Sequence, residues 1–262
     1  MPHHLLNKGF FLVIMICLII PDLTKAQDAA SIDSLASEAA AYFEEAKEEE
    51  ALETYLKILD ENPEHFEALW NTALLYSRIG FRMDSEKEKE DYYKRSLKYA
   101  EKALELYPDN GYTQFVYAVA QGRISDISGS NTRIKKSHIV KEHADRAVEL
   151  LPNYAPAWHL LGVWNSKVAN IGSAKRFAAG IFSKGLPDGA SNAKAEEYIK
   201  KAIELRPEKV IRFKLDLAHH YERSGQKQKA IQILKEVLQE NPKNEIEEWN
   251  LERAKKLLEE LS

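Results

Sequence analysis

A single cysteine, Cys17, occurs in the 262 residues, and it sits in an apolar run near the start of the chain. Once that run is removed, the protein has no disulfide, no thiolate metal site and no cysteine nucleophile. Glycine (11) and proline (9) are sparse. There is no Gly-rich phosphate loop, no HExxH pair and no G-x-S-x-G elbow. Strand signals are lacking too, because no stretch alternates over several residues with β-branched side chains. Neither sign of charge dominates: 37 Lys and Arg face 41 Asp and Glu, for a net charge of −4. A net acidic chain is a poor general nucleic-acid binder, so any basic function has to be local.

The titratable residues do not assemble a catalytic or metal constellation either. His219 and His220 are adjacent, so on a helix they diverge, and His138 and His143 are five apart. With His65 and His159 they supply no set of three or four converging ligands, which a zinc site needs. Carboxylates come in helix-face runs such as Glu44 to Glu50, where no acid–base pair stands out. A non-enzymatic protein with no cofactor and no metal is the expectation.

What is present is a repeated ending: Ile58 to Pro63 (ILDENP), Ala103 to Pro108 (ALELYP), Ala147 to Pro152 (AVELLP), Ala202 to Pro207 (AIELRP) and Val237 to Pro242 (VLQENP). Each reads as the tail of an amphipathic helix stopped by a proline. Successive prolines are 45, 44, 55 and 35 residues apart, which is a unit of about 34 residues plus insertions. That period is similar to the tetratricopeptide repeat (TPR), a helix-turn-helix unit. Twelve residues before each proline, where the two helices should cross, stand Ala51, Ser96, Val140, Ala195 and Ala230. The best first helix contains Trp158-His159-Leu160-Leu161-Gly162. Leu69 to Gly80 and Leu217 to Gly225 repeat its pattern around Ala73 and Ala218.

The expected fold is therefore all-α: a TPR-like solenoid of about five helical hairpins over residues 34–262, with insertions between the helices of a repeat and a capping helix from about Glu245 to Leu261. The Glu- and Lys-rich insertion Phe81 to Tyr93 should lengthen its hairpin. Ile124 to Ser137, with Ser128-Gly129-Ser130-Asn131, should be a loop. The third, about Ile171 to Asn192, holds a small apolar segment, Ala174 to Phe182, and a Gly185-Leu186-Pro187-Asp188-Gly189 turn. It is expected either to pack over its own hairpin or to act as a lid on a groove.

The first residues have another character. Lys8, the run Phe10 to Ile20, Pro21 and Thr24-Lys25-Ala26 have the order of a secretory signal peptide. Residues 1–26 are accordingly expected to be removed, leaving a polar spacer at 27–33. Eleven apolar residues fall short of the roughly 20 needed to span a bilayer, so no stable membrane span is expected after cleavage. An exported protein, periplasmic or extracellular in a bacterium, follows.

Function in such an array belongs on the concave wall. Counting in the repeat register places Phe43, Trp70, Leu74, Arg78, Phe115, Val119, Arg123, His159, Val163, Lys167, Leu215 and His219 there. The wall is apolar and aromatic, with one cation in each central repeat: Arg78, Arg123 and Lys167. It suits an extended peptide or apolar ligand with an anionic end. Phe177 and Phe182 of the third insertion complete the candidate binding set.

Ala147 to Pro152, the run Ala157 to Trp164 (AWHLLGVW), Arg176 to Phe182 and Ala202 to Pro207 resemble the TPR domain of the regulator of microtubule dynamics family, over roughly Ser137 to Leu261. The resemblance implies a non-enzymatic protein. Its eukaryotic members are found at organelle membranes, and one is associated with tethering and with phospholipid. The signal-like start and the lack of a coiled-coil linker depart from those members and look like an exported bacterial relative, for which microtubules have no relevance. Two expectations result: an adaptor that holds a protein segment or partner complex in its groove, or a carrier for a phospholipid or other amphiphile in the same place.

Overall fold

A computed structural model describes residues 20–171, 185 and 187–262, with side chains from Ala30 onward. Eleven α-helices make up the described residues: α1 (Ile20–Glu44), α2 (Glu48–Glu61), α3 (Phe66–Arg82), α4 (Glu86–Leu106), α5 (Gly111–Asp126), α6 (Ser130–Leu150), α7 (Ala155–Ala169), α8 (Asn192–Leu205), α9 (Val210–Arg223), α10 (Lys227–Val237) and α11 (Glu245–Leu261). They pair in sequence as five hairpins, α1 with α2 through α9 with α10, and each hairpin packs on the next, with α11 closing the array on α9 and α10. No strand occurs among the described residues. None of their helices is long and apolar enough to cross a membrane.

The proline endings do what their sequence implies. α2, α4, α6 and α8 each stop two residues before their proline, because the residue before proline is pushed out of the helical region. α10 stops earlier, at Val237, and a turn leads on to Pro242. The five crossing positions Ala51, Ser96, Val140, Ala195 and Ala230 are all buried. Ser96 also donates its hydroxyl to the Ala73 carbonyl at 2.8 Å, tying α4 to α3. Two glycines allow the closest approaches. A Cβ at Gly80 would stand 2.7 Å from Tyr92 Cβ, and one at Gly162 would stand 2.7 Å from Ile199 Cγ1.

The two helices of a repeat differ in role. α3 buries 11 of its 17 residues and α4 only 4 of its 21, so first helices form the inner layer and second helices the solvated outer one. The core runs on from repeat to repeat. Phe43 and Tyr99 belong to both the first and second apolar clusters, Val148 and Leu160 to the second and the next, and Ile233 and Leu261 join the last two. That continuity is what a solenoid needs, since no single hairpin buries its own apolar face.

The first insertion lengthens its hairpin as expected, with only three residues between α3 and α4. The second differs from expectation. Ile124 to Ser137 is not a loop: α5 extends to Asp126, α6 starts at Ser130, and only Ile127 to Gly129 connect them. Ser130, Asn131 and Thr132 fall in the first turn of α6, where polar side chains are tolerated. Ile134 is buried, and Arg133 donates to the carbonyls of Ser125 and Ser128, closing the turn. The stretch 27–33 is likewise helical, forming part of α1. Most of the third insertion, with Phe177 and Phe182, lies outside the described residues. Its far end is anchored where His138 donates Nε2–H to the Gly185 carbonyl at 2.8 Å. The capping helix has the expected bounds, and Ala254 and Leu257 are its buried residues on the apolar face.

Candidate binding site on the concave face

The inner helices carry the expected wall residues on stripes spaced four residues apart, which places them on one face, although Leu74, Phe115 and His159 within those stripes are buried. On α7 the stripe is His159, Val163 and Lys167; on α3 it is Trp70, Leu74 and Arg78; on α5, Phe115, Val119 and Arg123. The curl of the array brings these stripes and the capping helix together. Phe81, near the end of α3, meets Trp249 of α11 edge-on at 5.8 Å, so the second repeat and the C-terminal helix approach each other across the inner face.

The expected wall residues separate into three kinds. Phe115 is 3 % exposed, covered by Tyr154 at 5.2 Å, and Leu74 and Leu215 are also buried. These are core residues: the next hairpin lies over Leu74 and Phe115, and α10 and α11 lie over Leu215. Trp70 is half-buried and stacks on Tyr112 at 4.8 Å, in a ladder continued by Tyr154. Val119, Val163 and His219 are half-buried on the wall.

Among the expected cations, Arg78 already has a carboxylate. Its Nη2 lies 2.5 Å from Glu48 Oε1, and Arg82 Nη1 lies 2.6 Å from Glu48 Oε2. Lys167 is bound at the rim by Asp126 at 2.7 Å. Arg123 lies 4.1 Å over the Phe81 ring and donates Nε–H to the Ser77 hydroxyl at 3.2 Å.

The structure adds residues that the repeat register does not mark. Asp216 of α9 accepts from His159 Nε2 at 2.8 Å. Burial works to raise the pKa of its carboxyl, but the His159 hydrogen bond and charge and the nearby Arg212 guanidinium together outweigh it and hold the group well below the usual carboxylate range. Arg212, one turn before Asp216, is pushed down to about 10 by burial and by the like charges of Arg78 and Arg123, with Asp216 and Glu48 pulling the other way. Arg253 of α11 is lowered by burial, with Asp216 opposing and Arg123 adding to the fall, and it lies 4.6 Å over Trp249 and 5.3 Å over Phe81. One signal for this group was available: Arg212, Asp216 and His219 recur at helical spacing on α9. Glu48 was hidden within the acidic run 44–50.

Behind the wall, His220 is fully buried, with Nδ1 3.1 Å from the Ser166 hydroxyl. Burial lowers its pKa, Glu196 raises it, and Arg223 and Lys229 lower it further. The sign of the linkage follows. With a folded value below the unfolded one of about 6.5, the unfolded chain takes up the proton first, so the stabilising contribution is whole above about pH 6.5 and is lost as the pH falls. His143 and His219 shift the same way, also through burial. Melting temperature should therefore fall on acidification from about pH 6.5, and the fall should be shallower in His220→Gln. Thermal melts of both proteins at stepped pH check this, and parallel curves would contradict it.

The family model described as "Regulator of microtubule dynamics protein 1-3" matches residues 33–262. Regulator of microtubule dynamics protein 1 of Bos taurus is 31 % identical over 172 residues, covering 65 % of this chain and 53 % of that protein. Regulator of microtubule dynamics protein 3 of Xenopus laevis is 28 % identical over 144 residues, covering 55 % of this chain and 31 % of that protein. The chain thus spans about half the length of the first relative and about a third of the second. Among solved structures, a thermophilic TPR protein of Thermus thermophilus matches with a TM-score of 0.60 at 17 % identity, covering 85 % of this chain and 98 % of that one. This likeness shows the fold alone.

Proposed function

The chain belongs to the regulator of microtubule dynamics family, and from that premise we propose that it is a non-enzymatic, exported adaptor that holds a protein segment or partner complex along its concave face. The observation that carries this reading is the convergence on one inner face of part-exposed side chains from α3, α5, α7, α9 and α11, supported on a core continuous through the repeats. A rigid array of this kind presents an extended surface without rearranging, so little ordering entropy opposes the binding of a segment.

Export is supported by the order of charged, apolar and small residues before Gln27. Cleavage after Ala26 would leave Ile32, Leu35, Ala36, Ala39, Tyr42 and Phe43 in place, the α1 residues that pack in the first cluster. The expected mature amino terminus is Gln27, read by intact mass after expression with the full leader.

The adaptor reading is tested with a photo-reactive residue at Val163 on the wall and another at Glu101 on the outer helix α4. Crosslinking in the native compartment should join a polypeptide to the Val163 position and none to Glu101. Equal crosslinking at both positions, or recovery of lipid alone at Val163, would overturn it.

A further inference from the structure

The centre of the concave face gathers arginine beyond what its own carboxylates balance. Arg78, Arg123, Arg212 and Arg253 come from α3, α5, α9 and α11; Arg123 and Arg253 lie over the same Phe81 ring at 4.1 and 5.3 Å, and the charges of Arg78 and Arg123 bear on Arg212. Two carboxylates share that region against four arginines: Glu48 is held by Arg78 and Arg82, and Asp216, hydrogen-bonded to His159, also bears on Arg212 and Arg253. Among the described residues, Arg123, Arg212 and Arg253 form no ion pair with any carboxylate. This occurs in a chain whose net charge is −4, so the arginines are concentrated inward against the overall balance. Like charges gathered in a part-buried place oppose folding, and local conflicts of that kind mark functional sites more often than structural ones.

Two of the guanidinium groups, those of Arg123 and Arg253, are also held against ring faces. Phe81 is shared by both, Arg123 at 4.1 Å and Arg253 at 5.3 Å, and Trp249 also supports Arg253. Planar forks held by ring faces lose little freedom when an oxyanion arrives. Glu48 illustrates carboxylate recognition within the same chain, since it accepts a hydrogen bond from Arg82 Nη1 at 2.6 Å and lies in ion-pair contact with Arg78 Nη2 at 2.5 Å.

We infer that Arg123, Arg212 and Arg253 form a binding site for the side-chain or terminal carboxylates of an acidic peptide segment lying in the groove. The inference rests on the adaptor reading and names the chemistry of its partner. The arginines come from a middle repeat, the fifth hairpin and the cap, so a segment lying in the groove meets them from three sides, and carboxylates on it complement their excess positive charge. Charge-assisted forks of this kind dominate recognition where water is partly excluded. Arg78, bound to Glu48, completes the field without being available itself.

The probe is fluorescein-labelled hexaglutamate, read by anisotropy with the full mature chain, with hexaglutamine as the neutral control. Hexaglutamate should bind, more weakly as salt is raised, and hexaglutamine should not. Arg212→Gln and Arg253→Gln should each weaken hexaglutamate about tenfold or more, while Lys227→Gln on the exposed start of α10 leaves it unchanged. Melting temperature separates this from a structural role: relief of like-charge repulsion should leave it unchanged or higher in Arg212→Gln, whereas a structural arginine would lower it. Hexaglutamate affinity that is equal in the wild type and both variants, or absent from the folded wild type, overturns the proposal. Binding of inorganic phosphate or of anionic phospholipid vesicles that depends on Arg212, with none of hexaglutamate, would assign the site to a phosphate group and overturn it as well. A neutral segment crosslinked at Val163 would leave the adaptor reading standing while this one fell.

Discussion

Glu48→Ala is expected to lower the free energy of unfolding by about 3–5 kcal/mol, the range seen when one partner of a buried pair is removed. Glu48 has no solvent exposure and opens α2, where a carboxylate also meets the positive end of the helix. Its two oxygens hold Arg78 and Arg82, in the last two turns of α3, so a single side chain fastens the first repeat to the second. Truncation leaves the Arg78 guanidinium facing the like charge of Arg212 with its carboxylate gone. Arg82 keeps a weaker partner in Glu49 at 3.6 Å, which is mostly exposed and offsets little. Urea unfolding followed by circular dichroism gives the difference directly. A loss below about 1 kcal/mol would match an ordinary surface pair and would show that water enters the cluster freely.

Ile199→Ala should cost about 2–5 kcal/mol, as for other fully buried aliphatic side chains. Ile199 has no exposure and joins Leu217, Tyr221 and Ala230 in the cluster that couples the fourth repeat to the fifth. It also fills the space over Gly162: a Cβ placed there would meet Ile199 Cγ1 at 2.7 Å, the Ile199 backbone nitrogen at 3.0 Å and the Ala195 carbonyl at 3.3 Å. Gly162→Ala alone is therefore overpacked, by roughly 1–3 kcal/mol. In the Ile199→Ala background its cost should shrink, since the nearest atom is gone, but it should not vanish, because the backbone atoms stay. A double-mutant cycle in urea measures that coupling. Strict additivity would mean that the helices separate to accept a methyl group, and the Trp158 to Gly162 motif would then owe nothing to close packing.

Both substitutions bear on how much of the molecule its sequence discloses. The helix ends, the small crossing residues and the capping helix were legible because each depends on local chemistry: proline excludes the preceding residue from the helix, and two backbones cannot approach past a large side chain. The second insertion misled for a related reason. A run of Ser, Gly, Ser and Asn signals a turn, and one is present, but three residues suffice for it. The remaining polar groups sit comfortably in a helix start.

The candidate site was legible only in part. Periodicity placed Arg78, Arg123, His159, Val163 and Lys167 on inner helix faces. It could not show that Glu48 engages Arg78, that Asp126 engages Lys167 or that Phe115 is core. Repeat register specifies which face of a helix a residue occupies; it carries no information on what faces it from another repeat.

By itself, then, the sequence determined the repeat, its five hairpins, its proline stops and its cap, since these rest on interactions within some 40 residues of chain. Only the tertiary structure decided which charges meet. The superhelical curl brings α3, α5, α9 and α11 to one place, joining Phe81 to Trp249 and Arg123 to Arg212 and Arg253. Such pairings depend on the small rotation from each hairpin to the next, accumulated along the array, and no local pattern encodes that sum.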